Sequence, residues 1–279
     1  MEKKSISTLN LKQLDRRWIF LLMLIGVTIP LLIPFGLKIE VSRNVQMVYD
    51  LVESAEAGDR ILLSFDYDPA SKPEIQPAAE AIIRHAIEKD LRIVCLALWP
   101  MGVSLADEIY QKLDDMLDYG VNFINLGYTA GGMVAIQAMG RNFLDVFPVD
   151  ANGDNVNQFQ IMSDVRNFND FSFVASFSSG VPGMREWIMV AGDSYSLPVT
   201  GSTTAVSTPG FLPYINDQNQ LTGLIGGLKA AAEYEMLIDV PGTATSGMDA
   251  QSIAHAIIIL FIIIGNVIWR MQHKKQRSL

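Results

Sequence analysis

Two long apolar segments without charged residues lie near the two ends of the chain. The first runs from 18 to 37 and contains Pro30 and Pro34, and the second runs from about 253 to 269. About 20 apolar residues in a helix cross the hydrocarbon core of a bilayer. The pattern therefore predicts two transmembrane helices that flank the rest of the chain.

Between these segments, short apolar runs alternate with amphipathic stretches. The apolar runs predict strands at 60–65, 92–98, 121–126, 171–177 and 197–201. The amphipathic stretches predict helices at 44–57, 104–119, 182–190 and 218–238, a further helix that begins at 71 and another that ends at about 147. Strand–helix units in succession are typical of a mainly parallel sheet between two helical layers. The sequence therefore predicts a Rossmann-like three-layer α/β domain of about five strands over 38–240, followed by a linker at 241–252. It leaves the strand order open.

The basic residues indicate how the segments cross the membrane. Lys38 and Arg43 are the basic residues close to the inner flanks, whereas nine lie in the tails 1–17 and 270–279: Lys3, Lys4, Lys12, Arg16, Arg17, Arg270, Lys274, Lys275 and Arg277. Positive residues favour the cytoplasmic side. We expect a two-pass plasma (inner) membrane protein with cytoplasmic basic tails and an extracytoplasmic domain. Residues 34–40 contain no small-x-small cleavage site, which predicts an uncleaved signal anchor.

The charge and the cysteine content of the chain limit which partners and which redox chemistry are expected. All but two of the 30 acidic residues lie between 37 and 250, so the domain is acidic and a poor match for nucleic-acid phosphates. The single cysteine, Cys95, lies within an apolar run and cannot form an internal disulfide. The bilayer is the expected partner, and nucleic acid is not.

The expected ends of the strands carry most of the candidate ligand chemistry. Ligands of open parallel sheets bind outside the carboxyl ends of the strands. Carboxylates, aromatic rings, hydroxyls and glycines occur there together, as a small-ligand pocket would require. The candidate residues are Asp66, Asp68, Trp99, Tyr128, Thr129, Gly131, Gly132, Ser178, Ser179 and Gly180.

Each candidate has an alternative interpretation. Asp66 and Asp68 could hold a divalent cation, the one cofactor that the sequence suggests, or they could cap the following helix. The turn at 127–132 matches neither standard nucleotide fingerprint. Ser178 or Ser179 could be a nucleophile, but the sequence lacks Gly-x-Ser-x-Gly, and we expect His85, the one histidine of the domain, near the surface.

Two further patterns indicate a metal loop and an interaction helix. Asp150, Asn152 and Asp154 have the spacing of the first three ligands of a calcium loop, although the glycine is misplaced and no glutamate closes the loop. An Asx-rich turn without metal is the alternative. Small residues in the predicted helix 218–238 would allow close approach either to the domain's own sheet or to another subunit; they are Gly223, Gly226, Gly227 and Ala230.

Two segments carry a resemblance. The run 223–235 (GLIGGLKAAAEYE) and the block 247–255 (GMDAQSIAH) resemble uncharacterised prokaryotic two-span membrane proteins with a Rossmann-like extracytoplasmic domain. The resemblance implies that fold and no activity. The strand–helix pattern is also similar in outline to one lobe of periplasmic sugar-type binding proteins, although such proteins have two lobes.

These expectations combine into one functional hypothesis. The chain is expected to be a membrane-anchored subunit whose external domain binds a partner protein or a small ligand. We expect it to assemble as a homo-oligomer or with other membrane subunits. A membrane-tethered hydrolase or transferase, with its site at the strand ends, is the alternative.

Overall fold

A computed structural model describes residues 16–37, 39–216, 218 and 220–276 of the chain, with side chains up to Arg270. It contains two compact units. The larger unit ends at Thr245, and the smaller combines the described residues up to Leu37 with those from Ser246 onward.

The larger unit is built on a six-stranded parallel sheet. Its strands are β1 (Arg60–Asp66), β2 (Arg92–Ala97), β3 (Phe123–Tyr128), β4 (Phe173–Ser178), β5 (Val199–Thr203) and β6 (Ile225–Gly226). They lie in the order β3-β2-β1-β4-β5-β6. The expectation of a parallel α/β sheet is confirmed, and the order reverses between β1 and β4. The sixth strand falls inside the segment 218–238 that we expected to be helical.

Helices connect the strands in the larger unit. They are α2 (Arg43–Glu53), α3 (Lys72–Glu88), α4 (Gly102–Lys112), α5 (Met133–Arg141), α6 (Phe143–Val146), α7 (Met184–Trp187), α8 (Asp193–Tyr195) and α9 (Gly227–Leu237). A π-helical stretch, Ile188–Gly192, joins α7 to α8. The excursion after α6 holds three short 3-10 turns at Val156–Gln158, Gln160–Met162 and Phe168–Asp170.

The core lies on both faces of the sheet. Strands buried on both faces read as nearly continuous apolar runs, which is why the strand positions were visible in the sequence. Helices α3 and α9 pack together on one face. On the other face, Trp187 of α7 and Ile136 of α5 join Leu62 and Val174 of the strands in one buried cluster. The expectation of three layers is therefore met.

The smaller unit contains α1 (Arg16–Leu32) and most of α10 (Thr243–Gln276). The backbone amides of Phe35, Gly36 and Leu37 donate to the Asp249 carboxylate over 2.7, 2.9 and 3.2 Å. Earlier in α1, Gly26 lies against Ile253 and Ile257, and a Cβ there would be 2.5 Å from the Ile257 side chain. The two helices therefore run antiparallel.

Among the described residues, one helix is long and apolar enough to cross a membrane, over Thr243–Arg270. Helix α1 is described over Arg16–Leu32, which is 17 residues. It ends at Leu32, before Pro34, rather than at 37. Length and composition thus support a span at the C-terminal end, and not the two flanking spans that the sequence predicts.

The start of α10 belongs to the larger unit. The buried Glu235 carboxylate accepts hydrogen bonds from the amides of Gly242, Ala244 and Thr245 at 2.9, 3.0 and 2.7 Å, and from the Thr245 hydroxyl at 2.6 Å. A carboxylate at a helix N-terminus satisfies unpaired N–H groups and complements the helix dipole. The expected linker 241–252 is therefore helical from Thr243.

The chain joins the larger unit at the edge where the strands begin. Glu233, in the second half of α9, accepts hydrogen bonds from the Ser42 amide and hydroxyl at 2.9 and 2.7 Å. Helix α9 starts after β6 and runs back along the sheet, so Ser42 and the start of α10 lie near the N-terminal ends of the strands. The carboxyl ends form the opposite edge.

Candidate functional site

Asp66, at the end of β1, is fully buried, and its carboxylate accepts hydrogen bonds from residues of the central strands and their loops. Its Oδ1 accepts from the Leu98 amide at 2.8 Å, and its Oδ2 accepts from the Ser64 hydroxyl at 2.7 Å, the Trp187 indole at 3.2 Å and the Ser176 hydroxyl at 3.3 Å. Burial raises the pKa of this carboxyl to about 7, although the four hydrogen bonds act to lower it. Asp66 is therefore closed to a ligand and acts as a structural residue.

Asp68 has a separate role. Its Oδ1 accepts from the Ser71 amide at 3.0 Å, and its carbonyl accepts from the amides of Ser71 and Lys72. It organises the turn into α3, as the capping interpretation had it. The two carboxylates therefore do not form one cation site.

The loops after β2 and β4 meet across the end of β1. The Trp99 indole donates to the Pro182 carbonyl over 2.7 Å. A Cβ on Gly180 would lie 3.0 Å from the Trp99 ring, and a Cβ on Gly132 would lie 3.1 Å from Pro182. Three of the predicted candidates are thus brought together, where they pack against one another or against Pro182.

The remaining candidates from the β3 turn lie on the surface. Tyr128 is 44% exposed. The Thr129 amide donates to the Ala97 carbonyl at 3.0 Å, which extends the β2–β3 pairing. Gly131 is exposed and has a φ of +110°, a conformation that favours glycine. These residues form a turn into α5, and none of them lines the pocket that contains Ser178 and Ser179.

A pocket of about 380 Å³ lies at the carboxyl ends of β4 and β5. This volume is within the range of small-ligand sites. Three of its lining residues were predicted: Ser178, Ser179 and Gly180. The other five were not predicted from the sequence; they are Val181, Arg185, Glu186, Ser207 and Phe211. Two of these come from the loop after β5, a Ser/Thr/Pro-rich stretch whose composition was the only available signal.

The pocket lacks the partners of a nucleophilic serine. The buried Ser178 hydroxyl donates to the Gly180 carbonyl at 3.1 Å and so stabilises its own loop. Ser179 is half-buried. Neither histidine nor lysine lines the described pocket, so a general base of the kind that activates a serine is missing from its walls. The Ser178 hydroxyl is thus engaged within its own loop.

His85 lies at the other edge of the domain and is 2% exposed, so the expectation of a surface histidine is wrong. Its Nδ1 is 2.8 Å from the Tyr234 hydroxyl, its Nε2 is 3.0 Å from Glu53, and its ring stacks on Tyr49. Burial lowers the pKa of His85, whereas the hydrogen bonds from His85 and Lys89 lower the pKa of Glu53 to about 2. This cluster joins α2, α3 and α9.

The expected calcium loop is closed by its own hydrogen bonds. Asp150 Oδ1 accepts from the amides of Asn152 and Asp154 at 2.9 and 2.8 Å, and Oδ2 accepts from the Tyr119 hydroxyl at 2.7 Å. Within the described ranges, no group of three or more histidine, cysteine, aspartate or glutamate residues could hold a metal ion. The Asx-turn interpretation fits this geometry.

The small residues expected on an interaction helix pack inside the domain. A Cβ on Gly223 would lie 2.6 Å from the Asn44 carbonyl, and one on Gly226 would lie 2.4 Å from Thr208. At Gly227 the same atom would meet Ala205 and Glu74, and Ala230 is buried. Two of the four residues precede β6 or lie within it. Their contacts are with the domain's own elements, as the internal-packing alternative had it.

The fold and the site together define a doubly wound parallel α/β protein with a pocket at the carboxyl ends of its strands, joined to an apolar helix of membrane-spanning length. No protein-family model, curated protein or solved structure matches the chain.

Proposed function

We propose that the chain is a two-span membrane protein whose α/β domain binds a small ligand at the pocket beside β4 and β5. The pocket at the strand ends carries the proposal, because parallel sheets bind ligands at this edge. Within the domain, this edge lies opposite the one that holds Ser42 and the start of α10. Assembly as a homo-oligomer or with other membrane subunits stays a prediction of the sequence.

The two-span topology is supported by the helix pair. Since α1 and α10 run antiparallel, the start of α1 and the end of α10 lie at the same end of the smaller unit. The basic flanks predict that this end is cytoplasmic.

Cysteine labelling tests this topology. Cys95 is fully buried, so the natural chain provides an unreactive background. We expect a membrane-impermeant maleimide to label Asn157→Cys, at an exposed site of the domain, in cells whose inner membrane is intact. Ser7→Cys and Ser278→Cys should react only after permeabilisation. Labelling of either tail in intact cells, or protection of residue 157, would contradict the proposed orientation.

Filling the pocket tests the ligand site. Ligands that raise the thermal unfolding midpoint of the natural protein, found among sugars, amino acids, organic acids and phosphate esters, should lose their effect in Ser207→Trp, because the indole would occupy the pocket. Ser163→Trp, at an exposed position outside the pocket, is the matched control. If no compound shifts the midpoint, or if Ser207→Trp responds as the natural protein does, the pocket is not a ligand site.

A further inference from the structure

Arg185 is the one basic residue that lines the described pocket. Its side chain is exposed and makes no ion pair with the part of the chain that the structure describes, whereas Arg60 and Arg84 each pair with a carboxylate. In a strongly acidic domain, a guanidinium without an internal partner keeps its donors available. Arginine binds carboxylates and phosphates through two parallel hydrogen bonds.

The neighbouring carboxylate does not use these donors. Glu186 is 8% exposed, and its Oε2 accepts from the Gly183 amide at 2.7 Å. This hydrogen bond holds the Glu186 side chain against the loop before α7. The one acidic residue of the pocket is thus engaged by its own loop.

The other walls suit a ligand with both a polar and an apolar part. Ser179 is half-buried, and the Ser207 hydroxyl accepts from the Thr204 hydroxyl at 3.0 Å, which leaves its own proton available. Val181 and Phe211 supply apolar surface. A volume of about 380 Å³ corresponds to about a dozen water molecules, so the ligand is small.

We propose that the pocket binds an organic oxyanion, a carboxylate or phosphate group on a small apolar body, with Arg185 as the partner of the charged group. This inference rests on the proposed ligand-binding function and names its ligand class. Carboxylate and phosphate share the bidentate geometry, and the choice of probes separates them.

Calorimetric titration of the full chain in detergent provides the test, with benzoate, phenyl phosphate and neutral benzamide as probes. We expect one of the two anions to bind at least tenfold more tightly than benzamide. Arg185→Gln should weaken that anion at least tenfold, and Arg185→Lys, which keeps the charge without the planar fork, should fall between. Arg166→Gln removes an exposed charge outside the pocket and should leave affinity unchanged.

The outcomes separate the ligand class from the ligand site. If benzamide binds as tightly as the better-bound anion, or if Arg185→Gln retains the affinity of the natural protein, the oxyanion inference is overturned while the pocket remains a ligand site. If no charged or neutral compound binds, the ligand-binding function itself fails. The better-bound anion shows whether carboxylate or phosphate is preferred.

Discussion

Replacing Asp66 with alanine should destabilise the protein by about 4 kcal/mol, because several buried donors would lose their acceptor together. The Leu98 amide and the Trp187 indole are buried with Asp66, so bulk solvent does not reach them to replace the carboxylate. Urea unfolding of the full chain measures the change. Asp68→Ala is the matched control: it removes one capping hydrogen bond at a partly exposed site and should cost about 1 kcal/mol.

The pH dependence gives a second, independent measure of Asp66. Burial raises its pKa to about 7, whereas an unfolded chain has an aspartate pKa of about 4. Between these values the native state holds a proton that the unfolded state has released, so this contribution to stability is complete below about pH 4 and is lost as the pH rises to about 7.

The variant Asp66→Asn stays uncharged and should lack this loss. The free energy of unfolding of this variant, relative to that of the natural protein, should therefore increase as the pH rises from 4 to 7. The variant loses one hydrogen bond at every pH, because its amide nitrogen cannot accept. Glu53 and the other titrating groups cancel in the difference. A difference independent of pH would show that Asp66 is ionised in the native state across this range.

Replacing Glu235 with alanine should release the start of α10 from the larger unit. Three backbone amides and one hydroxyl lose a buried acceptor, which we expect to cost about 3 kcal/mol of stability. Hydrogen exchange reports the effect locally: the amides of Gly242, Ala244 and Thr245 should exchange at least tenfold faster.

The controls for Glu235 distinguish a local from a general loss of stability. Glu235→Gln keeps one acceptor oxygen and should give an intermediate rate. Glu233→Gln alters the contact with Ser42 and should leave exchange at residues 242–245 unchanged. If Glu235→Ala leaves these amides as protected as in the natural protein, the carboxylate is not what holds this segment.

Local patterns in the sequence determined much of the fold. Apolar runs located five strands to within about two residues, because parallel strands are buried on both faces and need no alternation. The Ser71-Lys72-Pro73 start of α3 was readable because proline is favoured in a first helical turn. The missed strand β6 has a similar local cause. A strand of two residues, one of them Gly226, is too short to show a period, and the alanines that follow favour a helix.

The site depended on contacts between distant segments. Asp66 is buried because the loop after β2 and a tryptophan of α7 reach it, and His85 is buried because α2 and α9 supply Glu53 and Tyr234. No local sequence pattern reveals that these residues contact Asp66 or His85.

The sequence by itself determined the parallel α/β class, the position of an apolar membrane-length segment and three of the serine-loop residues of the pocket, because each depends on residues close together in the chain. The tertiary structure alone decided the strand order and therefore the pairing of β4 with β5, which brings Ser207 and Phe211 opposite Arg185. A pocket built from two loops exists only once long-range pairing has placed their strands side by side.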